Sequence, residues 1–146
     1  MAKLDRLRRA AGVRMGLGRT PEAIGPSNPR LVIVAPPARF QDLSGNWIEP
    51  ETHDVGIRML NMGRVHRAVA LTTAMGIGVA CRIEGTLANE AYRPAGVEIR
   101  VGNPSGIVSV GAEIRRDGAE WVAESAVIYR TARVLMRGEV AVPEVV

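Results

Sequence analysis

The sequence predicts an α+β fold: mostly antiparallel strands, arranged as a barrel-like sheet, wrapped around one buried central helix, with a second helix at the N-terminus. Three observations lead there. Residues Thr72–Ile83, TTAMGIGVACRI, are apolar on every face until Arg82. A surface helix keeps a polar face, so a helix apolar all round is buried. The segments that follow alternate apolar and polar residues with the period of strands and are divided by turn residues. Finally, aromatic residues are only 3% of the chain against 47% hydrophobic and 16 glycines, so the core must be close-packed Val, Ile, Leu, Ala and Met.

In order along the chain, Lys3–Met15 is expected to be helical. Leu4, Leu7, Ala11 and Met15 share one face, arginines occupy the others, and Gly16-Leu17-Gly18 stops the run. Arg19–Arg30 contains Pro21, Pro26 and Pro29 and reads as a loop or linker. The organisation is thus an N-terminal helix over 1–18, a linker over 19–30 and a domain over 31–146. Leu31–Ala35 is a short β-branched run closed by Pro36-Pro37, a buried strand. Leu43–Trp47 is a loop. Asp54–Met62 fits a strand through Val55, Ile57 and Met59 and a helix through Val55, Met59 and Met62; Gly56 and Gly63 favour strand.

The central helix is expected to start at a cap supplied by Thr72 or Thr73 and to be followed by Gly85. Gly76 and Gly78 cost roughly 1 kcal/mol each in a helix interior, which makes sense where neighbouring backbone packs tightly. From there the chain turns to strands. Val97, Ile99 and Val101 alternate, Asn103-Pro104-Ser105-Gly106 is a turn, and Ile107–Ile114 continues the sheet. Asp117-Gly118 marks a hairpin, and Trp121, Val127, Ile128 and Val134–Val142 supply the return strands.

The chain has 146 residues, enough for one domain. Its net charge of +4 is spread among dispersed arginines, with a basic cluster only at Arg6, Arg8, Arg9 and Arg14. With no aromatic stacking surface, nucleic acid is not the expected partner, and a small anionic ligand accounts for the arginines. Cys81 is the single cysteine, so no internal disulfide forms and the cytoplasm is the expected location. No run of about 20 apolar residues exists to cross a membrane, and no apolar segment follows the basic N-terminus to make a secretion signal. His53, His66 and Cys81 lack zinc-ligand spacing, and neither a phosphate loop nor a GxSxG turn is present.

Three stretches carry a resemblance. Asn61-Met62-Gly63-Arg64-Val65-His66-Arg67-Ala68-Val69 leads through Leu71-Thr72-Thr73-Ala74 into the apolar helix, which ends at Cys81-Arg82-Ile83-Glu84-Gly85-Thr86. Gly102-Asn103-Pro104-Ser105-Gly106 precedes Val110-Gly111-Ala112, and Val127–Gly138 closes the chain. In this order and spacing they resemble the PrpF family, and the match covers essentially the whole chain as the C-terminal half of such a protein. The resemblance implies a fold like diaminopimelate epimerase, in which two similar halves each wrap a sheet around a helix and the substrate lies between them. It implies a cofactor-independent isomerase, using neither metal nor pyridoxal, acting on the double bond of an aconitate-like tricarboxylate. The family's proton-transfer Lys and Cys belong to the other half, so no catalytic residue is expected in this chain. Its expected partner is a PrpF-like N-terminal half or a second copy. Asn103 stands where His is common in the family, and Thr73 where Gly is common.

The chemistry that this implies needs anion binding. Removing a proton beside a carboxylate leaves a carbanion whose charge spreads into that carboxylate, and backbone N–H groups at a helix N-terminus stabilise such charge. Thr72, Thr73 and Ala74 open the helix and are the first candidates; an ordinary N-cap is the alternative. His66 and Arg67 in the preceding loop are candidates to donate to or clamp a carboxylate. Asn103, Ser105 and Gly106 would present a hydroxyl and N–H groups, unless they only make a turn. Cys81, near the C-terminal end of the helix, is expected to be a core residue. The alternative function is a non-catalytic carboxylate-binding or dimerisation module derived from the same fold.

Overall fold

The computed structural model describes residues 2–142. Helix α1 (Ala2–Arg14) is as expected, and it ends in a Schellman closure. The Leu17 N–H donates to the Gly12 carbonyl and the Gly16 N–H to that of Val13, with Gly16 at φ +74. Arg8 is buried against the loop that follows. It pairs with Asp5 and donates to the carbonyls of Gly25 and Asn28, while Arg9 donates to Asp5 and to Pro21 and Ile24. Two of the four arginines in the basic cluster are therefore spent on holding the 19–30 segment.

Strands β1 (Leu31–Ala35), β4 (Val55–Asn61), β6 (Ile99–Asn103), β7 (Gly106–Asp117) and β8 (Glu120–Ile128) form one curled sheet in that order. All its neighbours are antiparallel except β4 and β6, which run parallel. A short β5 (Arg64–Val65) pairs back onto β4, and the intervening Met62 and Gly63 both have positive φ, as a two-residue hairpin turn demands. Strands β2 (Phe40–Gln41) and β3 (Trp47–Ile48) make a separate small hairpin. The strand reading of 54–62 holds, because Val55, Ile57 and Met59 point into the core while Gly56 and Arg58 point out.

Helix α2 (Leu71–Arg82) lies in the concave face of the sheet. Ala74, Ile77, Gly78 and Cys81 are buried against Val55, Val101, Val110 and neighbours. The sheet covers only this side. Leu71, Thr72 and Gly76 are exposed, so the expectation of a helix enclosed all round is corrected to half enclosure. An apolar pattern reports what a helix avoids, and here one apolar face has no cover among the described residues. Gly78 is explained by close approach: a Cβ there would lie 2.8 Å from Val110 Cγ2, a side chain rather than backbone. Gly76 is not so explained, since a Cβ there would meet nothing within 4 Å.

Two further corrections concern the end of the chain. A short helix α3 (Leu87–Ala91) follows α2, capped by the Thr86 hydroxyl, which accepts from the Asn89 N–H at 3.1 Å. Five residues are too few to show periodicity, so the sequence hid it. Val134–Val142 is not a strand: 129–142 has no regular structure, and Val134, Leu135 and Met136 are exposed. Its apolar residues find no sheet edge among the described residues, and a strand pattern without a neighbour makes no strand. No helix among the described residues is long and apolar enough to cross a membrane.

Gly102 tests the packing of the outer face. A Cβ at Gly102 would sit 2.7 Å from His53 Cδ2 and 3.1 Å from Phe40 Cε1, and His53 is buried and cannot swing away. Gly102→Ala is expected to destabilise the domain by about 1–3 kcal/mol through overpacking, read as a lower urea midpoint.

Candidate active-site wall

The N-terminus of α2 carries the first of the residues singled out from sequence. Its cap residue is Ala70, in extended conformation, and no side chain caps it. The Thr72 or Thr73 cap is therefore corrected: the helix begins at Leu71, which places both threonines inside the first turn. The Ala74 N–H already donates to the Ala70 carbonyl at 2.9 Å and its side chain is fully buried. That leaves the N–H groups of Leu71, Thr72 and Thr73 without a backbone acceptor among the described residues. The helix dipole favours negative charge at this point.

Two clefts flank this helix end. The first, of about 550 Å³, is bounded by Leu71, Asn103, Ser105, Ser109, Tyr129 and Arg130, among others. The second, of about 720 Å³, is bounded by Met15, Arg30, Val32, Thr72, Thr73 and Gly76. The residues singled out from sequence are thus divided. Asn103 and Ser105 lie on the first cleft, Thr72 and Thr73 on the second, and His66 and Arg67 border neither with their exposed side chains.

The turn at 103–106 is built from its own side chains. Asn103 is buried, its Nδ2 donates to the Gly106 carbonyl at 3.0 Å, and its Oδ1 accepts from the Ser105 N–H. The Ser105 hydroxyl donates to the Arg67 carbonyl at 2.7 Å. Asn103 therefore fixes the turn, and Ser105 ties it to the loop that leads into α2. His66 is anchored locally: its N–H donates to the Met59 carbonyl and its ring Nδ1 lies against the Ala68 backbone. Arg130 and Tyr129 were not singled out from sequence, although they bring a cation and a phenol to the first cleft. The signal was available in the Val127–Gly138 stretch, where Tyr-Arg-Thr follows an alternating strand.

Cys81 is a core thiol. Burial pushes its pKa up to about 12, so it carries no thiolate at neutral pH.

A protein-family model described as PrpF protein matches residues 1–143. The chain belongs to the PrpF family. It is 38% identical over 147 residues to the 2-methyl-aconitate isomerase of Shewanella oneidensis, covering 99% of this chain and 37% of that protein. It is 33% identical to the 3-methylitaconate isomerase of Eubacterium barkeri, covering 97% of this chain and 38% of the relative. The crystal structure of a methylitaconate-delta-isomerase superposes with a TM-score of 0.76 at 27% identity, over 88% of this chain and 35% of that one. This PrpF chain therefore has the α+β half-barrel expected of the family. It spans little more than a third of the length of these relatives, all named as isomerases.

Proposed function

We propose that this chain is the C-terminal region of a PrpF-type, cofactor-independent isomerase and forms one wall of its substrate cleft. The substrate is an aconitate-like tricarboxylate, of the 2-methylaconitate type. The observation that carries this reading is the uncapped N-terminus of α2, opening beside a cleft that also holds Arg130. A carboxylate seated there accepts from the first N–H groups of the helix. When a base removes the proton from the adjacent carbon, the C–H electron pair moves into the π system and toward that carboxylate. The double bond shifts when the proton returns to a different carbon, or rotates before it returns to the same one. The helix end holds the charge during that interval. His66, Arg67, Thr72, Thr73, Ala74, Asn103, Ser105 and Gly106 retain the roles proposed from sequence to different degrees. Thr72 and Thr73 offer N–H donors, Asn103, Ser105 and Gly106 shape the cleft, Ala74 packs beneath it, and His66 and Arg67 reach substrate only by moving. The acid and base come from an N-terminal half, in the cytoplasm.

The experiment is proton exchange of cis-aconitate, trans-aconitate and 2-methylaconitate in deuterated water, followed by NMR. The chain is assayed alone and co-expressed with the N-terminal region of the Shewanella relative. Exchange is expected only with both present. Exchange by the chain alone would place the base here and overturn the division of labour.

A second reading draws on the exposed apolar side of α2 and the second cleft. A non-catalytic module would dimerise through that face and bind a carboxylate without turning it over. A stable homodimer with saturable carboxylate binding and no exchange in either assay favours it.

A further inference from the structure

The outer face of the sheet, opposite α2, holds a cavity of about 270 Å³ under the β2–β3 hairpin, bounded by Phe40, His53, Gly56, Arg39 and Arg58. His53 is only 2% exposed and packs edge-on against Phe40. Its Nδ1 lies 3.2 Å from the Glu49 carbonyl oxygen. A carbonyl only accepts, so Nδ1 carries the ring proton and Nε2 is an acceptor. Nε2 is buried and has no partner among the described residues. It is directed to the bare face of Gly56, where a Cβ would lie 4.0 Å from Nε2, 3.6 Å from the Ala35 carbonyl oxygen and 3.7 Å from that of Pro36. Three acceptors thus border one gap.

Two cations border the same cavity. The Arg58 guanidinium lies over the Phe40 ring at 4.8 Å and is anchored by one donation to the Ile57 carbonyl, its other N–H groups having no partner among the described residues. Arg39 lies over Trp47 at 4.2 Å and pairs with Glu49. A bare cation is repelled by the arginines. A bare anion leaves the buried His53 acceptor unmet, and an unmet buried acceptor is costly. Burial lowers the His53 pKa despite the Glu49 contact, which keeps the imidazole neutral near pH 7.

We propose that this cavity is a second ligand site, taking a small molecule that turns an N–H or O–H donor to His53 and a carboxylate to Arg58. That pairing is the chemistry of an α-amino or α-hydroxy acid. The site does not depend on the isomerase reading, since it lies on the other face of the sheet and uses none of the same residues.

The test is a titration of the full chain, watching the His53 imidazole nitrogens in ¹H–¹⁵N spectra. The probes are L-alanine, L-lactate, propionate and isopropylamine. Alanine or lactate is expected to shift Nε2 saturably, and which of them does so identifies ammonium or hydroxyl as the donor. Propionate lacks the donor and isopropylamine the anion, so each is expected to bind about tenfold more weakly or less. Gly56→Ala fills the gap with no contact closer than 3.6 Å, so it is expected to keep the fold and lose the shift. Arg58→Met retains a side chain over Phe40 and is expected to weaken binding about tenfold. The proposal is overturned by no saturable shift with either acid, by propionate matching lactate, or by unchanged binding in Gly56→Ala. A lone water bridging His53 to the carbonyls gives the first of these results.

Discussion

Arg100→Met is expected to cost about 3 kcal/mol of stability at neutral pH, measured by urea unfolding. Asp54 is fully buried immediately before β4, and Arg100 in β6 donates to its carboxylate from Nη2 at 2.7 Å and from its own backbone N–H at 2.8 Å. The main chains are joined as well, since the Asp54 N–H donates to the Arg100 carbonyl and the Arg93 N–H to the Asp54 carbonyl. The parallel contact between β4 and β6 pairs only Val55 with Val101 and Gly56 with Gly102. This ion pair therefore clamps the one parallel pairing among the described strands of the sheet. Removing the guanidinium leaves a buried carboxylate with a single backbone donor from Arg100. The loss lies at the low end for broken buried pairs because the Arg100 side chain is 31% exposed.

The same pair sets a pH dependence. Burial acts to raise the Asp54 pKa, but the hydrogen bonds from Arg100 outweigh it and hold the carboxyl below its ordinary range. A group depressed in the folded state stabilises above its unfolded pKa, and that stability is lost as pH falls through the folded value. The difference between parent and Arg100→Met is therefore full near neutrality and closes as pH drops toward and below about 4. A difference that stays constant down to acid pH would mean that lost packing, not charge, dominates.

In an enzyme assembled from this chain and an N-terminal PrpF half, Leu71→Pro is expected to lower kcat by about 10²–10³-fold. Leu71 is the first residue of α2 and borders the 550 Å³ cleft. Proline is accepted at a first helical position, where its fixed φ suits the helix. The residue before it, Ala70, already has φ −68 and ψ 143, the conformation that a following proline imposes. The substitution thus removes one N–H donor and leaves the helix standing, which circular dichroism checks. An unchanged kcat with a raised KM would instead assign this N–H to ground-state binding alone.

Much of this protein was legible because its strongest signals are local. The period of Val55, Ile57 and Met59, the stop at Gly16 and the Asp117-Gly118 hairpin are set by side-chain alternation and turn chemistry, which neighbouring residues decide among themselves. The order of motifs from Asn61 to Gly138 was enough to indicate the PrpF family. The candidate site was legible only in part. The sequence pointed to the start of the helix, but Ala70, not a threonine, occupies its cap, because the path of the loop through His66 and Ser105 decides where helical geometry begins.

What the sequence determined by itself is the main inventory: the strands with strong alternation or turn signals, the run that is the apolar helix, and that Cys81 belongs to the core, but not the short helix α3 or the absence of a strand over 134–142. What only the tertiary structure decided is every fact that depends on distant partners. Those are the half enclosure of α2, the splitting of the site residues between two clefts, the arrival of Arg130 at one of them, and the lone acceptor of His53 facing the gap at Gly56. The physical reason is range. Period and turn propensity act over a few residues, whereas burial, pairing and cavity shape join residues such as Asp54 and Arg100 that the chain keeps far apart.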